Sequence, residues 1–279
     1  MSKISNEQLA VMSVQYVHYT LEYYLNSMKK NGIKNIDLWG GVPHYCALDY
    51  NGPEVNIELN NIKKKIDTLG MNISIYTPET LSYPYSISSP NKTTRLRTIE
   101  YFKRAIDDAK ILNCDKVFMN SGCSPLDIFR EEGWSRAIET TKEICDYAKN
   151  QNVTMVIEQL QPYESNLVVT LNDVKRFMDE VDNDALKVCI DVVAMAVSNE
   201  NLDDYFTVLN KEKIALIHFA DSNHYILGDG NLPLKKYIKI LEKNDYTGLI
   251  DLEINDSIYW ENPHESIEKS IQYFNELIN

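Results

Sequence analysis

The chain has 279 residues, is 44% hydrophobic and 25% charged, and carries a formal net charge of −13. This size supports a full core without disulfide or metal staples, and the ordinary apolar content excludes disorder. The negative field repels phosphate backbones and anionic lipid surfaces, so nucleic acid and membrane are not expected partners, whereas a neutral or cationic small molecule is compatible.

The N-terminal stretch MSKISNEQLA has no cationic start followed by an apolar run, so no secretory signal is expected. The first β-rich run covers 9–14 and the first amphipathic stretch 21–31, which ends at Asn31-Gly32, a helix stop. The alternation then repeats. Strands are predicted at 35–38, 72–76, 116–119, 154–157, 187–190, 215–218 and 249–252. Helices are predicted at 54–70, 93–113, 134–150, 171–181, 203–210, 234–244 and 263–277. The strand runs are almost continuously apolar, as parallel strands buried on both faces require. Strand then helix, eight times over, predicts an α/β chain folded as a single (β/α)8 TIM-barrel domain over residues 1–279. A doubly wound sheet would carry a glycine-rich turn after the first strand, but the first glycine is Gly32 and no phosphate-loop motif occurs. Two long connections, 77–92 and 122–133, follow strand ends, where a barrel builds its site.

Five cysteines (Cys46, Cys114, Cys123, Cys145 and Cys189) are odd in number and lack a CxxC spacing, so no disulfide framework is expected. Cys114, Cys145 and Cys189 read as core thiols. With no long apolar run to cross a membrane, the cytoplasm is the expected location. His18 and His264 read as surface histidines.

The chemistry lies at the strand ends. Val156-Ile157 is followed by Glu158, Cys189-Ile190 by Asp191, Leu216-Ile217 by His218 and Asp251-Leu252 by Glu253. A buried, unpaired carboxylate costs several kcal/mol or shifts its pKa upward, so three of them imply a neutralising cation. Three carboxylates and one imidazole suit Mn²⁺, Co²⁺ or Mg²⁺, with Zn²⁺ also within range, and leave open positions for a substrate's oxygens. Glu158 and Glu253 are then placed to act as two bases on opposite faces of a sugar. Asp251 and Asp256 flank Glu253, so an acidic surface edge is the alternative reading there.

The stretches Glu158-Gln159-Leu160-Gln161-Pro162-Tyr163-Glu164-Ser165-Asn166, Ile190-Asp191, His218-Phe219-Ala220-Asp221-Ser222 and Gly228-Asp229-Gly230-Asn231-Leu232-Pro233-Leu234 resemble the xylose-isomerase-like TIM-barrel superfamily of sugar epimerases and isomerases. Leu38-Trp39-Gly40-Gly41-Val42-Pro43-His44, Tyr76-Thr77-Pro78-Glu79-Thr80 and Tyr83-Pro84-Tyr85 are similar to its branch acting on amine-linked ketoses. The resemblance implies a metal held by Glu158, Asp191, His218 and Glu253, with C3 of a ketose, or of an amine-linked ketose of the fructoselysine type, inverted through a metal-stabilised cis-enediolate. It also implies a homo-oligomer, dimer or tetramer. Glu164 matches a glutamate that binds substrate hydroxyls. His224 stands where ketohexose epimerases carry a substrate-binding Arg, and Ala194 where they carry a His.

Trp39, His44 and Glu79 are further candidates for substrate contact, with packing, an exposed loop and a turn carboxylate as their respective alternatives. Tyr83 and Tyr85 form a lid or pack the loop down. Gly228-Asp229-Gly230 reads as turn chemistry. An aldose–ketose isomerase or an inosose-type dehydratase uses the same metal and bases. A multi-zinc endonuclease would need more than five histidines, and a pure sugar-binding protein would not need a base on each face.

Overall fold

The structure is a computed structural model that describes residues 3–80 and 84–279. Eight strands follow in chain order around a closed barrel. They are β1 (Leu9–Met12), β2 (Asn35–Gly40), β3 (Asn72–Pro78), β4 (Lys116–Asn120), β5 (Thr154–Glu158), β6 (Leu186–Asp191), β7 (Ile214–His218) and β8 (Leu249–Leu252). The helices among the described residues are α1 (Leu21–Lys30), α2 (Pro53–Thr68), α3 (Lys92–Ile111), α4 (Arg130–Gln151), α5 (Leu171–Val181), α6 (Val192–Val197), α7 (Leu202–Leu209), α8 (Leu234–Lys243) and α9 (Pro263–Ile278). None of them is long and apolar enough to cross a membrane. The chain gathers into two compact units, Met1–Ile75 with Leu216–Asn279, and Tyr76–Ala215.

In the first unit β1 pairs in parallel with both β2 and β8, and β8 with β7. All four β1 residues are buried, which explains their unbroken apolar run. β1 ends two residues earlier than its apolar pattern predicts, because Ser13–Tyr16 turn into a 3-10 helix that directs the Ser13 hydroxyl to other loops. β2 runs two residues further than predicted and carries Trp39 within the strand. His18 is exposed and meets Trp260 edge-on. His264 differs from its expected surface role: it is half-buried, with Nδ1 2.7 Å from Ser27 Oγ.

In the second unit β4, β5 and β6 pair in register, with Asn120 opposite Glu158 and Glu158 opposite Cys189. Cys114, Cys145 and Cys189 are buried and reduced, as expected of core thiols. α4 begins at Arg130, four residues before the predicted start, so Gly133 lies inside a helix. The glycine is needed there because a Cβ would come within 2.1 Å of Ser124 Oγ. α6 was not predicted: six residues continuing an apolar run carry too little periodicity, and the helix starts because Asp191 caps it.

The expected lid falls partly on Tyr83, which lies outside the described residues. The described remainder of that loop is held down. Arg95 Nη1 donates to the Ser89 carbonyl at 2.7 Å, Arg97 Nε to that of Pro84 at 3.0 Å and Arg136 Nε to that of Ser88 at 2.9 Å. Tyr85 is buried and stacks on Tyr101, with ring centroids 4.0 Å apart. Of the two readings for Tyr85, packing is the one realised.

Candidate active site

In the second unit, carboxylates close β5 and β6. Glu158 closes β5 and is 6% exposed, with the Cys189 thiol 3.9 Å from Oε1. Asp191 closes β6 and caps α6. Its Oδ1 accepts the Val193 N–H at 2.8 Å and its Oδ2 the Ala194 N–H at 3.0 Å. Two backbone donors fix the carboxylate's orientation. Ala194 is fully buried at this cap.

Glu164 is half-buried. Its Oε2 accepts the Gln161 N–H at 3.0 Å while its own N–H donates to the Gln161 carbonyl at 2.9 Å, so the turn 161–164 closes on itself. Glu79 is exposed one residue beyond β3.

In the first unit, ionisable groups stand at the ends of β7 and β8. His218 closes β7 and is fully buried, and its Nδ1 lies 3.1 Å from Glu253 Oε2. His224 Nε2 lies 3.5 Å from the same oxygen. Burial raises the Glu253 carboxyl, but the facing His218 and His224 rings outweigh it and hold the group well below the usual carboxylate range. Glu253 is thus ionised.

Behind it, Asp251 is fully buried in β8, opposite His218 on one side and Ala10 on the other. The acidic surface edge considered for Glu253 is therefore ruled out at Asp251. Asp37, also fully buried, sits in β2 opposite Met12. One potential ligand atom from each of Asp37, His218 and Asp251 lies within 4.8 Å of the others. Burial pushes Asp251 up to about 6, against the pull of His218 and of a hydrogen bond with Asp37.

The loop after β7 is built on Asp221. Its Oδ1 accepts the N–H groups of Ser222 at 2.8 Å and Leu232 at 2.9 Å, and its Oδ2 that of Gly228 at 3.0 Å. A Cβ at Gly230 would come within 2.3 Å of Asp221 Oδ1, so the tight approach needs glycine. This is the turn expected at Gly228-Asp229-Gly230. Within the loop Asn223 and His224 adopt positive φ of 60° and 57°, and the His224 carbonyl accepts the Asn255 N–H at 3.2 Å. Asp221→Ala would strand three backbone donors. It is expected to cost about 2–4 kcal/mol and to expose 222–231 to proteolysis, as read by denaturant midpoint and limited digestion.

His44 does not have the free ring expected of a substrate contact. The Trp39 N–H donates to Ser13 Oγ at 2.9 Å, and the Ser13 hydroxyl then donates to His44 Nδ1 at 3.0 Å. His44 Nε2 donates to the Tyr19 carbonyl at 3.1 Å. Both nitrogens are engaged by protein, and burial lowers the ring's pKa, so the neutral tautomer is fixed. Trp39 is half-buried, edge-on to His44 with centroids 6.0 Å apart, its indole lying where a side chain at Gly41 would clash.

Asp37, Asp251, Asp221 and Asn120 were missed as site residues from sequence. The available signal for the first two was a carboxylate inside a strand whose neighbours are all apolar.

Comparison with known proteins places this geometry. Fructoselysine 3-epimerase of Shigella flexneri is 29% identical over 267 residues, covering 92% of this chain and 93% of that protein. D-psicose 3-epimerase of Clostridium cellulolyticum H10, solved with D-tagatose, superposes with a TM-score of 0.79 at 15% identity, covering 98% of this chain and 99% of that one. The IOLI protein solved with a zinc atom superposes with a TM-score of 0.79 at 16% identity, covering 97% and 98%. Residues 25–277 match the family described as xylose isomerase-like TIM barrel, and the chain belongs to that family.

Proposed function

We propose that the protein is a divalent-metal-dependent isomerase that inverts C3 of a ketose, with an amine-linked ketose of the fructoselysine type as its preferred substrate. The observation that carries this reading is the run of ionisable side chains at the C-terminal ends of four consecutive strands, β5 to β8. Glu158, Asp191 and His218 are buried and Glu253 is nearly so. The names of the relatives support the reaction class, and 29% identity along nearly the whole length to a fructoselysine 3-epimerase supports the substrate.

In this reading Glu158, Asp191, His218 and Glu253 hold one Mn²⁺, Co²⁺ or Mg²⁺ ion, with Zn²⁺ as a further candidate. The donor set fits, being hard oxygen and imidazole nitrogen without thiolate. The bound ion supplies a Lewis acid that polarises the ketose carbonyl and acidifies the neighbouring C–H. The remaining steps belong to the protein. One of Glu158 and Glu253 removes the C3 proton, and the other, from the opposite face, delivers a proton to the same carbon. His224 and Glu164 orient the hydroxyls. Buried Asp37 and Asp251 fix the His218 ring from behind, as carboxylates commonly do for metal-ligating histidines.

The test is proton exchange in D2O, followed by NMR. Chelated protein is reloaded with Mn²⁺ or Co²⁺ and incubated with fructoselysine, fructose, psicose or tagatose. The expected result is metal-dependent deuterium at C3 together with the C3 epimer, fastest on the amine-linked ketose. Exchange at C1 identifies an aldose–ketose isomerase instead, and no exchange on any of them overturns the reading. Metal binding has its own readout. At one hundred times its Kd, Mn²⁺ is expected to stabilise the fold by about 2.7 kcal/mol, and Asp191→Ala should lose most of that increment.

A further inference from the structure

A cavity of about 430 Å³ lies within the second unit, between the loops that follow β3 and β4 and the first turns of α3. This volume is in the range of small-molecule sites, roughly 300–1,000 Å³. Its wall mixes apolar side chains with the hydroxyls and amide of Thr80, Ser86, Thr98, Asn120 and Ser121, and among the described residues its charged group is Arg97. No carboxylate lines it among those residues, in a chain of net charge −13.

Three details indicate a ligand site. Arg97 uses Nε and Nη2 on the Pro84 carbonyl and Nη2 also on Thr94 Oγ1, which leaves Nη1 without a hydrogen bond among the described residues. Thr80 Oγ1 is buried without a partner among the described residues. Asn120 Oδ1 accepts the Gly122 N–H, leaving the amide nitrogen to donate. Asn120 is also the ladder partner of Glu158. Adjacent strands lie about 4.8 Å apart and ladder partners point to the same face. The inner wall of the cavity is therefore one strand away from a proposed catalytic base.

We propose that this cavity is the subsite for the non-sugar half of the substrate, and that it takes a carboxylate through Arg97. The inference rests on the ketose-epimerase reading and extends it to the far end of the substrate. A monoanionic carboxylate suits the site better than a phosphate. One guanidinium nitrogen without a hydrogen bond among the described residues, in a lining whose other polar groups are neutral, meets a single negative charge, whereas a dianion commonly recruits several cations or a row of backbone N–H groups.

The test compares fructoselysine with its decarboxylated analogue, fructose linked to 1,5-diaminopentane, on the metal-loaded enzyme. Wild type should prefer the carboxylate-bearing substrate by about ten- to hundred-fold in kcat/KM, the range of one charge-assisted hydrogen bond. In Arg97→Gln this ratio should fall to near one. Arg95→Gln loosens the same loop without touching the cavity, and should keep the wild-type ratio. A wild type indifferent to the carboxylate, an Arg97→Gln that keeps the preference, or an Arg95→Gln that loses it equally overturns the subsite. Competition by inorganic phosphate without carboxylate preference assigns the cavity to phosphate and also overturns it. If no ketose is turned over at all, the epimerase reading fails separately. Calorimetric binding of the two compounds to metal-loaded wild type and Arg97→Gln then still reads the subsite.

Discussion

Glu253→Gln and Glu158→Gln are each expected to abolish epimerisation, lowering kcat by about 10²–10⁴-fold while leaving the fold intact. The amide keeps the size and an oxygen but cannot accept the C3 proton. Two bases on opposite faces give each variant a distinct trace. The epimer whose C3 proton faces the surviving glutamate should still exchange that proton for deuterium without inversion. The other epimer should exchange nothing. The two variants should show opposite preferences. Because both side chains are also proposed ligands, the measurement is made at saturating Mn²⁺ with metal content determined. Continued inversion by either variant would eliminate the two-base assignment.

Trp134→Ala is expected to be the most destabilising single change outside the site, by about 3–5 kcal/mol. Trp134 is 1% exposed in α4 and meets Phe177 of α5 edge-on, with centroids 5.6 Å apart. The Arg176 and Arg130 guanidinium carbons lie 4.3 and 5.1 Å from its ring centroid. Its Nε1 donates to Glu180 at 2.7 Å. Both arginines have further duties. Arg176 donates two parallel bonds to Glu131, and Arg130 donates to the carbonyls of Asn166 and Leu167. Removing the indole therefore takes away a buried volume and the surface on which two cations are arranged. A urea-midpoint shift worth less than about 1 kcal/mol would show that the cluster collapses onto the gap. Trp134→Phe should retain most of the packing and lose chiefly the bond to Glu180.

The barrel strands were legible because parallel strands buried on both faces are largely apolar, and the proposed ligands because each stands at the C-terminal end of such a run. That rule does not reach Asp37 and Asp251, which interrupt a strand from within. There a buried carboxylate depends on partners from other strands, and the local signal, a carboxylate between apolar neighbours, does not name them. α6 was invisible because its start is set by a side chain, Asp191, already read for another purpose. His44 was read as a free loop histidine because the engagement of its ring by Ser13 and Tyr19 depends on tertiary contacts 31 and 25 residues away. The arginine clamp on 84–89 is tertiary in the same sense, its donors lying on α3 and α4.

The left-handed backbone at His224 limits how this site can be diversified. A residue proposed to contact the substrate is the natural place to alter selectivity, yet φ of 57° disfavours most of the alphabet there on conformational grounds alone. Glycine and asparagine fit, an unbranched side chain such as arginine carries roughly 1–2 kcal/mol of strain, and valine, isoleucine or threonine are worse. Libraries randomised at 224 should therefore yield folded members from a narrow set, and relaxing the turn at Asp221 to widen that set would loosen the histidine it was meant to replace.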